Sequence, residues 1–204
     1  LGGVPLVVRV LNTVAAAGIP RAVAVVGFGA QAVRTRLSRE DFGIRVDDCL
    51  QPEQRGTGHA VQCAMPSLSD DEDPVFILSG DVPGLRAQTL AELERATMAS
   101  SGGLGLLVFV PDDPAGYGRI VRSEGRAIRI VEHKDANASE LEIAECNAGI
   151  YCVRSELLRR ELGSLRDDNS QGELYLTDLV ERAAKAGDVA TVSVEALEVA
   201  GVNT

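Results

Sequence analysis

The sequence predicts an α/β protein, and three observations carry that prediction. Strand-like and helix-like segments alternate over the first half of the chain. The strand-like segments are uninterrupted apolar runs rather than in-out alternations, as in Val75-Phe76-Ile77-Leu78, which is the pattern of strands covered on both faces. No Pro-, Ser- or Gly-rich linker divides the 204 residues, so one domain organised around βαβ units is expected.

The elements follow in order. Residues 4–17 repeat apolar side chains at helical spacing and stop at Gly18; residues 22–26, Ala-Val-Ala-Val-Val, form a β-branched run. Residues 30–37 read as a helix, 44–50 as a strand, 58–65 as a helix and 75–78 as the clearest buried strand. A polar-faced helix is predicted over 87–98 and a strand over 104–110. The pattern then changes, because residues 119–122 and 127–131 flank Ser123-Glu124-Gly125-Arg126, the signature of a β-hairpin with a short Gly-containing turn. A strand over 148–153, helices over 155–162 and 176–186, and a strand over 189–194 complete the chain. The acidic run Asp70-Asp71-Glu72-Asp73 reads as a solvated loop, since adjacent like charges are best left in water.

Composition excludes several functions. A formal charge of −10 without a Lys/Arg-rich run argues against a nucleic-acid-binding or anionic-membrane surface. No stretch approaches the roughly twenty apolar residues of a membrane span, and the first residues do not form a secretory signal. Cys49, Cys63, Cys146 and Cys152 include no C-x-x-C pair and read as reduced, mostly buried thiols of a reducing, cytoplasmic compartment. His59 and His133 have no third ligand at zinc spacing.

Four segments offer chemistry. The strand 75–78 stops abruptly at Ser79-Gly80-Asp81-Val82-Pro83, and ligands of open α/β sheets bind beyond the carboxyl ends of strands. Asp81 there either holds a hard cation, which needs only one or two protein oxygens in addition to water and phosphate, or caps the turn. Gln51 to Ala60 runs through Gly56-Thr57-Gly58 into a helix start, where backbone N–H groups can face an anion and the Gln51 carboxamide can read a pyrimidine edge; a Gly-x-Gly turn alone has the same sequence. Glu132 and Asn147, at strand ends, either bind sugar hydroxyls or face water.

The combination is more specific than any member. Q-x-E-Q-x-G-T-G-H-A (51–60), G-D-V-P (80–83), D-P-x-G-Y-G-R-I (113–120), V-E-H-K-D-A (131–136), N-x-G-I (147–150), G-E-x-Y-x-T-D-L (172–179) and Gly201-Val202-Asn203 occur in the order found in the N-terminal domain of the bifunctional N-acetylglucosamine-1-phosphate uridyltransferase and glucosamine-1-phosphate acetyltransferase. The chain resembles that family nearly end to end. The resemblance implies a Rossmann-like nucleotidyltransferase fold, with a mixed, mostly parallel sheet, helices on both faces and a β-hairpin insertion. It implies synthesis of UDP-N-acetylglucosamine from UTP and N-acetylglucosamine 1-phosphate with release of pyrophosphate, for cell-wall precursors, and a homotrimeric full-length protein. By similarity, Gln51, Gly56 and Thr57 hold the uracil and ribose, Ser79 and Gly80 belong to the substrate-binding strand end, and Asp81 with Asn203 ligates Mg²⁺. Gly118, Glu132 and Asn147 contact the N-acetylglucosamine.

The chain departs from the commoner family pattern at Ser79, where many members have Tyr, and in ending Val-Asn-Thr rather than Val-Asn-Asn. The family's glycine-rich signature, with its phosphate-binding Arg and Lys, precedes the segment that starts here at Leu1, and its β-helical acetyltransferase half follows the last residue. The expectation is therefore a fragment cut at both ends and inactive alone, with Arg119 and Lys134 as the cations nearest the phosphates. Two other readings stay open: a sister nucleotidyltransferase using glucose 1-phosphate with UTP or dTTP, and a non-catalytic sugar-nucleotide-binding regulator.

Overall fold

The structure, a computed structural model, describes residues 3–69 and 72–202. Its first unit is a βαβ crossover. Helix α1 (Leu6–Ala16) buries Val8, Val10, Leu11 and Val14 on one face. Strand β1 (Arg21–Val26) then crosses through α2 (Ala30–Leu37) to β2 (Arg45–Leu50), pairing in parallel from Arg21↔Arg45 to Val26↔Leu50. Helix α3 (Thr57–Ala64) follows β2 and continues into a 3₁₀ turn.

The main sheet is mixed. It contains β3 (Val75–Ile77), β4 (Leu104–Phe109), β5 (Arg119–Ser123), β6 (Arg126–Val131), β7 (Cys146–Val153) and β8 (Ala190–Ser193). Its order is β6-β5-β7-β4-β8, with β3 also against β7. Since β3, β4 and β5 all run antiparallel to β7, β8 runs parallel to β4 and β6 antiparallel to β5, four strands share one direction and β6 and β7 oppose them.

The continuous apolar runs find their reason in the core. Along β4, Leu104, Leu106 and Val108 enter one apolar cluster with Leu157, Leu158, Leu179 and Val180 from α6 (Ser155–Glu161) and α7 (Asp178–Ala186). Leu107 and Phe109 enter a second cluster with Leu90 and Leu93 of α4 (Ala87–Ala99). Both faces of β4 are thus covered by helices, and every residue of that strand is buried. The expected α/β architecture, helices on both faces and hairpin are all present. The hairpin turns through Glu124 (φ 50°) and Gly125 (φ 79°), a two-residue turn whose twist matches the flanking strands.

The structure departs from the sequence expectation in several places; β7, for one, starts at Cys146 rather than 148. Helix α7 starts at Asp178 rather than 176; ahead of its first turn, Leu176 N–H donates to Thr57 Oγ1 (3.2 Å) and the Thr177 hydroxyl to Glu132 Oε1 (2.9 Å), long-range bonds that tie these two residues to α3 and to the end of β6. A short helix α5 (Ala138–Leu141) was not anticipated, although Asn137 and Glu140 form a capping box there. The acidic run is not simply solvated. Asp73 accepts from Ser155 N (2.8 Å) and Arg154 (3.0 Å), capping α6, and Glu72 accepts from Arg21 (2.7 Å); Asp70 and Asp71 lie outside the described residues. The four cysteines are free thiols, Cys146 and Cys152 buried. Among the described residues no helix is long and apolar enough to cross a membrane.

Candidate active site

The strand end at Asp81 opens onto a cleft of about 320 Å³ lined by Ser79, Asp81, Val82, Ala115, Gly116, Tyr117, Ala148, Val199 and Gly201. Asp81 is half-buried, and its carboxylate makes no hydrogen bond or ion pair among the described residues. Its backbone carbonyl accepts from Val202 N–H (3.0 Å), and a side chain at Gly201 would lie 3.2 Å from Asp81 Oδ2. The segment Gly201-Val202 therefore packs on Asp81; Asn203 itself lies outside the described residues.

A divalent cation fits this donor chemistry. No group of three His, Cys, Asp or Glu side chains is placed to hold a metal among the described residues, so a closed protein cage is absent. Magnesium does not need one, because it keeps several waters and takes phosphate oxygens beside one or two protein oxygens. An unpaired carboxylate on a cleft is the kind of donor that such an ion takes from a protein.

The second cluster joins three strands. Gly118 lies just before β5, Glu132 just after β6 and Asn147 near the start of β7. Asn147 N–H donates to the Gly118 carbonyl (2.9 Å), while a side chain at Gly118 would meet Glu132 Oε2 at 3.3 Å. Glu132 Oε1 accepts from Thr177, and Asn147 Nδ2 donates to the Tyr151 hydroxyl (2.6 Å). The register of β4 against β7 shifts between Leu106↔Tyr151 and Val108↔Asn147, leaving an irregularity at Ala148-Gly149-Ile150. Gly149 adopts φ 71° there, and its N–H donates to Asn147 Oδ1 (3.0 Å). Such bulges re-aim side chains next to a site, and this one turns Asn147 across to Tyr151.

Burial raises the Glu132 carboxyl above its ordinary range; Thr177 opposes that, whereas nearby Asp135, Asp178 and Glu173 add to it. Burial likewise raises the Tyr151 phenol, which stays a neutral hydroxyl. The cluster thus brings a carboxylate and a carboxamide together, each held by a buried hydroxyl, Thr177 for Glu132 and Tyr151 for Asn147. Thr177 and Tyr151 were not singled out from sequence, for Thr177 stands 45 residues from Glu132 and only the fold joins them.

The turn after β2 is held by α3 and the 172–176 loop. Gln51 Nε2 donates to the Gly56 carbonyl (3.2 Å) and approaches His59 Nδ1 (3.2 Å). Thr57 Oγ1 accepts from Leu176 N–H, leaving its own proton free to donate. Gln51, Gly56 and Thr57 are therefore brought together in one turn, as are Ser79, Gly80 and Asp81 at the strand end.

Of the two cations expected near the phosphates, Arg119 is buried and Lys134 is exposed. Arg119 is only 2% exposed, and its guanidinium donates to the Tyr117 carbonyl beneath the 113–118 loop. It supports the cleft wall instead of lining it, because its strand position points it into the core. Lys134 Nζ is bonded to Gln171 Oε1. A larger cleft of about 380 Å³ lies against α7, but its cations are paired already: Arg182 with Glu161, Lys185 with Glu181 and Arg166 with Asp168.

Comparison with known proteins places this geometry in context. The nucleotidyl transferase family model matches residues 1–196. The bifunctional protein GlmU of Chromohalobacter salexigens is 49% identical across the whole of this chain, which spans 44% of that protein. The proteins of the same name from Sorangium cellulosum and Clostridium botulinum are 46% and 39% identical over 94% and 99% of this chain, which covers 41% and 44% of theirs. The chain thus spans less than half the length of these relatives.

Proposed function

The chain belongs to the nucleotidyl transferase family, and from that premise we propose that it is the uridylyl-transfer unit of an enzyme that makes UDP-N-acetylglucosamine from UTP and N-acetylglucosamine 1-phosphate. The observation that carries the reading is the meeting of Gly118, Glu132 and Asn147, from three strands, beside the cleft of Asp81. The bifunctional name of the relatives and the ordered motifs support it. The product would feed cell-wall precursor synthesis in the cytoplasm, and the full-length protein would be a homotrimer; both rest on the resemblance.

The chemistry asks little of acid–base groups. An anionic phosphate oxygen of the sugar 1-phosphate attacks the α-phosphorus of UTP; a P–O bond forms there as the bond to the β-phosphate oxygen breaks, and pyrophosphate leaves with the electron pair. Positioning and charge neutralisation then dominate. Asp81, with Asn203, would hold a magnesium ion, whose role is to neutralise charge on the reacting phosphates. Glu132 and Asn147 would hold the sugar by its hydroxyls and acetamide, and Gln51, Gly56 and Thr57 would hold the nucleoside.

The test is pyrophosphate release by the full-length protein with Mg²⁺ and UTP, comparing N-acetylglucosamine 1-phosphate with glucose 1-phosphate. Selectivity for the N-acetylated sugar supports the proposal. Preference for glucose 1-phosphate moves the chain to a sister enzyme, and no turnover with either favours a regulatory binder. Asp81→Asn is expected to lose most turnover at limiting Mg²⁺; parental turnover under that condition removes Asp81 from the metal site.

A further inference from the structure

Resting on the uridylyl-transfer reading, we propose that His59 is the positioning residue of the base-reading carboxamide: its Nδ1, with the Gly56 carbonyl, locks Gln51 so that Oε1 is left to accept the ring N3–H of uracil.

The argument starts from a fixed acceptor. The Gly56 carbonyl can only accept, so the Gln51 atom 3.2 Å from it is the NH₂ group, and the amide's orientation is set by the network. The same nitrogen stands 3.2 Å from His59 Nδ1. Its second hydrogen points to a ring nitrogen that must carry a lone pair, so the imidazole proton resides on Nε2. That nitrogen faces Cys63 Sγ at 3.7 Å, one helical turn further along α3, where an i,i+4 neighbour belongs. A thiol sulfur is a weak acceptor and suits the Nε2–H tautomer.

Turning the amide over would set its oxygen against both the Gly56 oxygen and the Nδ1 lone pair. One orientation therefore prevails, with Gln51 Oε1 the atom left without a protein partner among the described residues. A lone acceptor at this place rewards an N–H donor on the base. Uracil presents N3–H, whereas cytosine presents a lone pair at N3, and a buried acceptor facing an acceptor goes unpaired. His59 acts through Gln51 and touches no reacting atom.

The test uses the full-length protein. Turnover of UTP by the parent decides the underlying reading; the His59 series and the ring tautomer decide this inference. In His59→Leu the KM for UTP is expected to rise about threefold to tenfold, the worth of one neutral hydrogen bond, with kcat little changed and the UTP-over-CTP preference reduced by the same factor. His59→Asn, whose Oδ1 reaches the Nδ1 position, is expected to restore most of the preference, and His59→Gln, which reaches the Nε2 position, is not. A parental preference in His59→Leu, or equal behaviour of Asn and Gln, overturns the proposal. ¹⁵N NMR of the imidazole supplies a readout independent of turnover and of variant folding: the proton is expected on Nε2, and a proton on Nδ1 overturns the positioning role.

Discussion

Replacing Gly56 by Ala is expected to destabilise the fold and the nucleoside side of the site together. Gly56 adopts φ 100° and ψ 176° at the start of α3, a region that side chains other than hydrogen enter at a cost of about 1–3 kcal/mol. A Cβ there would stand 2.7 Å from the Leu174 carbonyl oxygen, 2.9 Å from Glu173 Cβ and 3.1 Å from Leu174 N. Two of these are backbone atoms and the third is a Cβ that moves only with its backbone, so none can simply rotate away. That carbonyl accepts from Gly58 N–H (2.8 Å), and Leu174 N–H donates to the Arg55 carbonyl (2.8 Å). Relieving the clash breaks at least one of the two bonds, each worth about 0.5–1.5 kcal/mol net. The total is roughly 2–4 kcal/mol. In a domain of this size that lowers the melting midpoint by roughly 5–15 °C, measurable by circular dichroism. Because Gly56 also supplies the carbonyl that holds Gln51, the KM for UTP should rise in the same variant. A midpoint within about 2 °C of the parent would refute the strain argument.

Two further predictions follow from the site and its supports. Burial raises the Glu132 carboxyl above its unfolded value, so the folded state holds that proton more tightly. The associated stability is fully present below the unfolded pKa, about 4.3, and is lost as pH rises through the folded value. Glu132→Gln, a neutral mimic, should therefore show a shallower loss of stability above that pH in denaturant titrations while losing sugar 1-phosphate affinity; an unchanged pH dependence contradicts the assignment. Glu198 is 6% exposed, and its carboxylate accepts from Arg86 N–H, the Arg86 guanidinium and the Thr89 hydroxyl. Glu198→Ala strips the first turn of α4 of these partners while exposed Arg86 returns to water, for an expected loss of about 2–3 kcal/mol. A denaturation midpoint unchanged from the parent rules out that role.

Much of the fold was legible because its signals are local. The apolar run of β4 predicted a strand buried on both faces, and residues 30–37 predicted α2 with the bounds observed. The Glu124-Gly125 turn announced the hairpin. The failures came where distant partners compete with local preference. Leu176 and Thr177 continue a helical pattern, yet they precede the helix and are tied to Thr57 and Glu132 by long-range hydrogen bonds. Arg119 stands in a glycine-rich motif beside a cleft and reads as a ligand for phosphate, but its strand position buries it under Tyr117. Asp73 reads as a loop charge and serves as a cap for α6, 82 residues away.

The sequence by itself determined the α/β class and the order of nearly every element, and it singled out candidate residues for chemistry, because periodicity, turn residues and motif order are properties of neighbouring positions. It placed Gln51, Asp81, Glu132 and Asn147 at strand ends without saying which of them meet. The tertiary structure decided that: it set Glu132 against Thr177, Asn147 against Gly118 and Tyr151, and Gln51 between Gly56 and His59. It also left the Asp81 carboxylate on a cleft, unpaired among the described residues. The raised Glu132 carboxyl reflects burial together with carboxylates as distant in sequence as Asp178, a separation that local pattern does not encode.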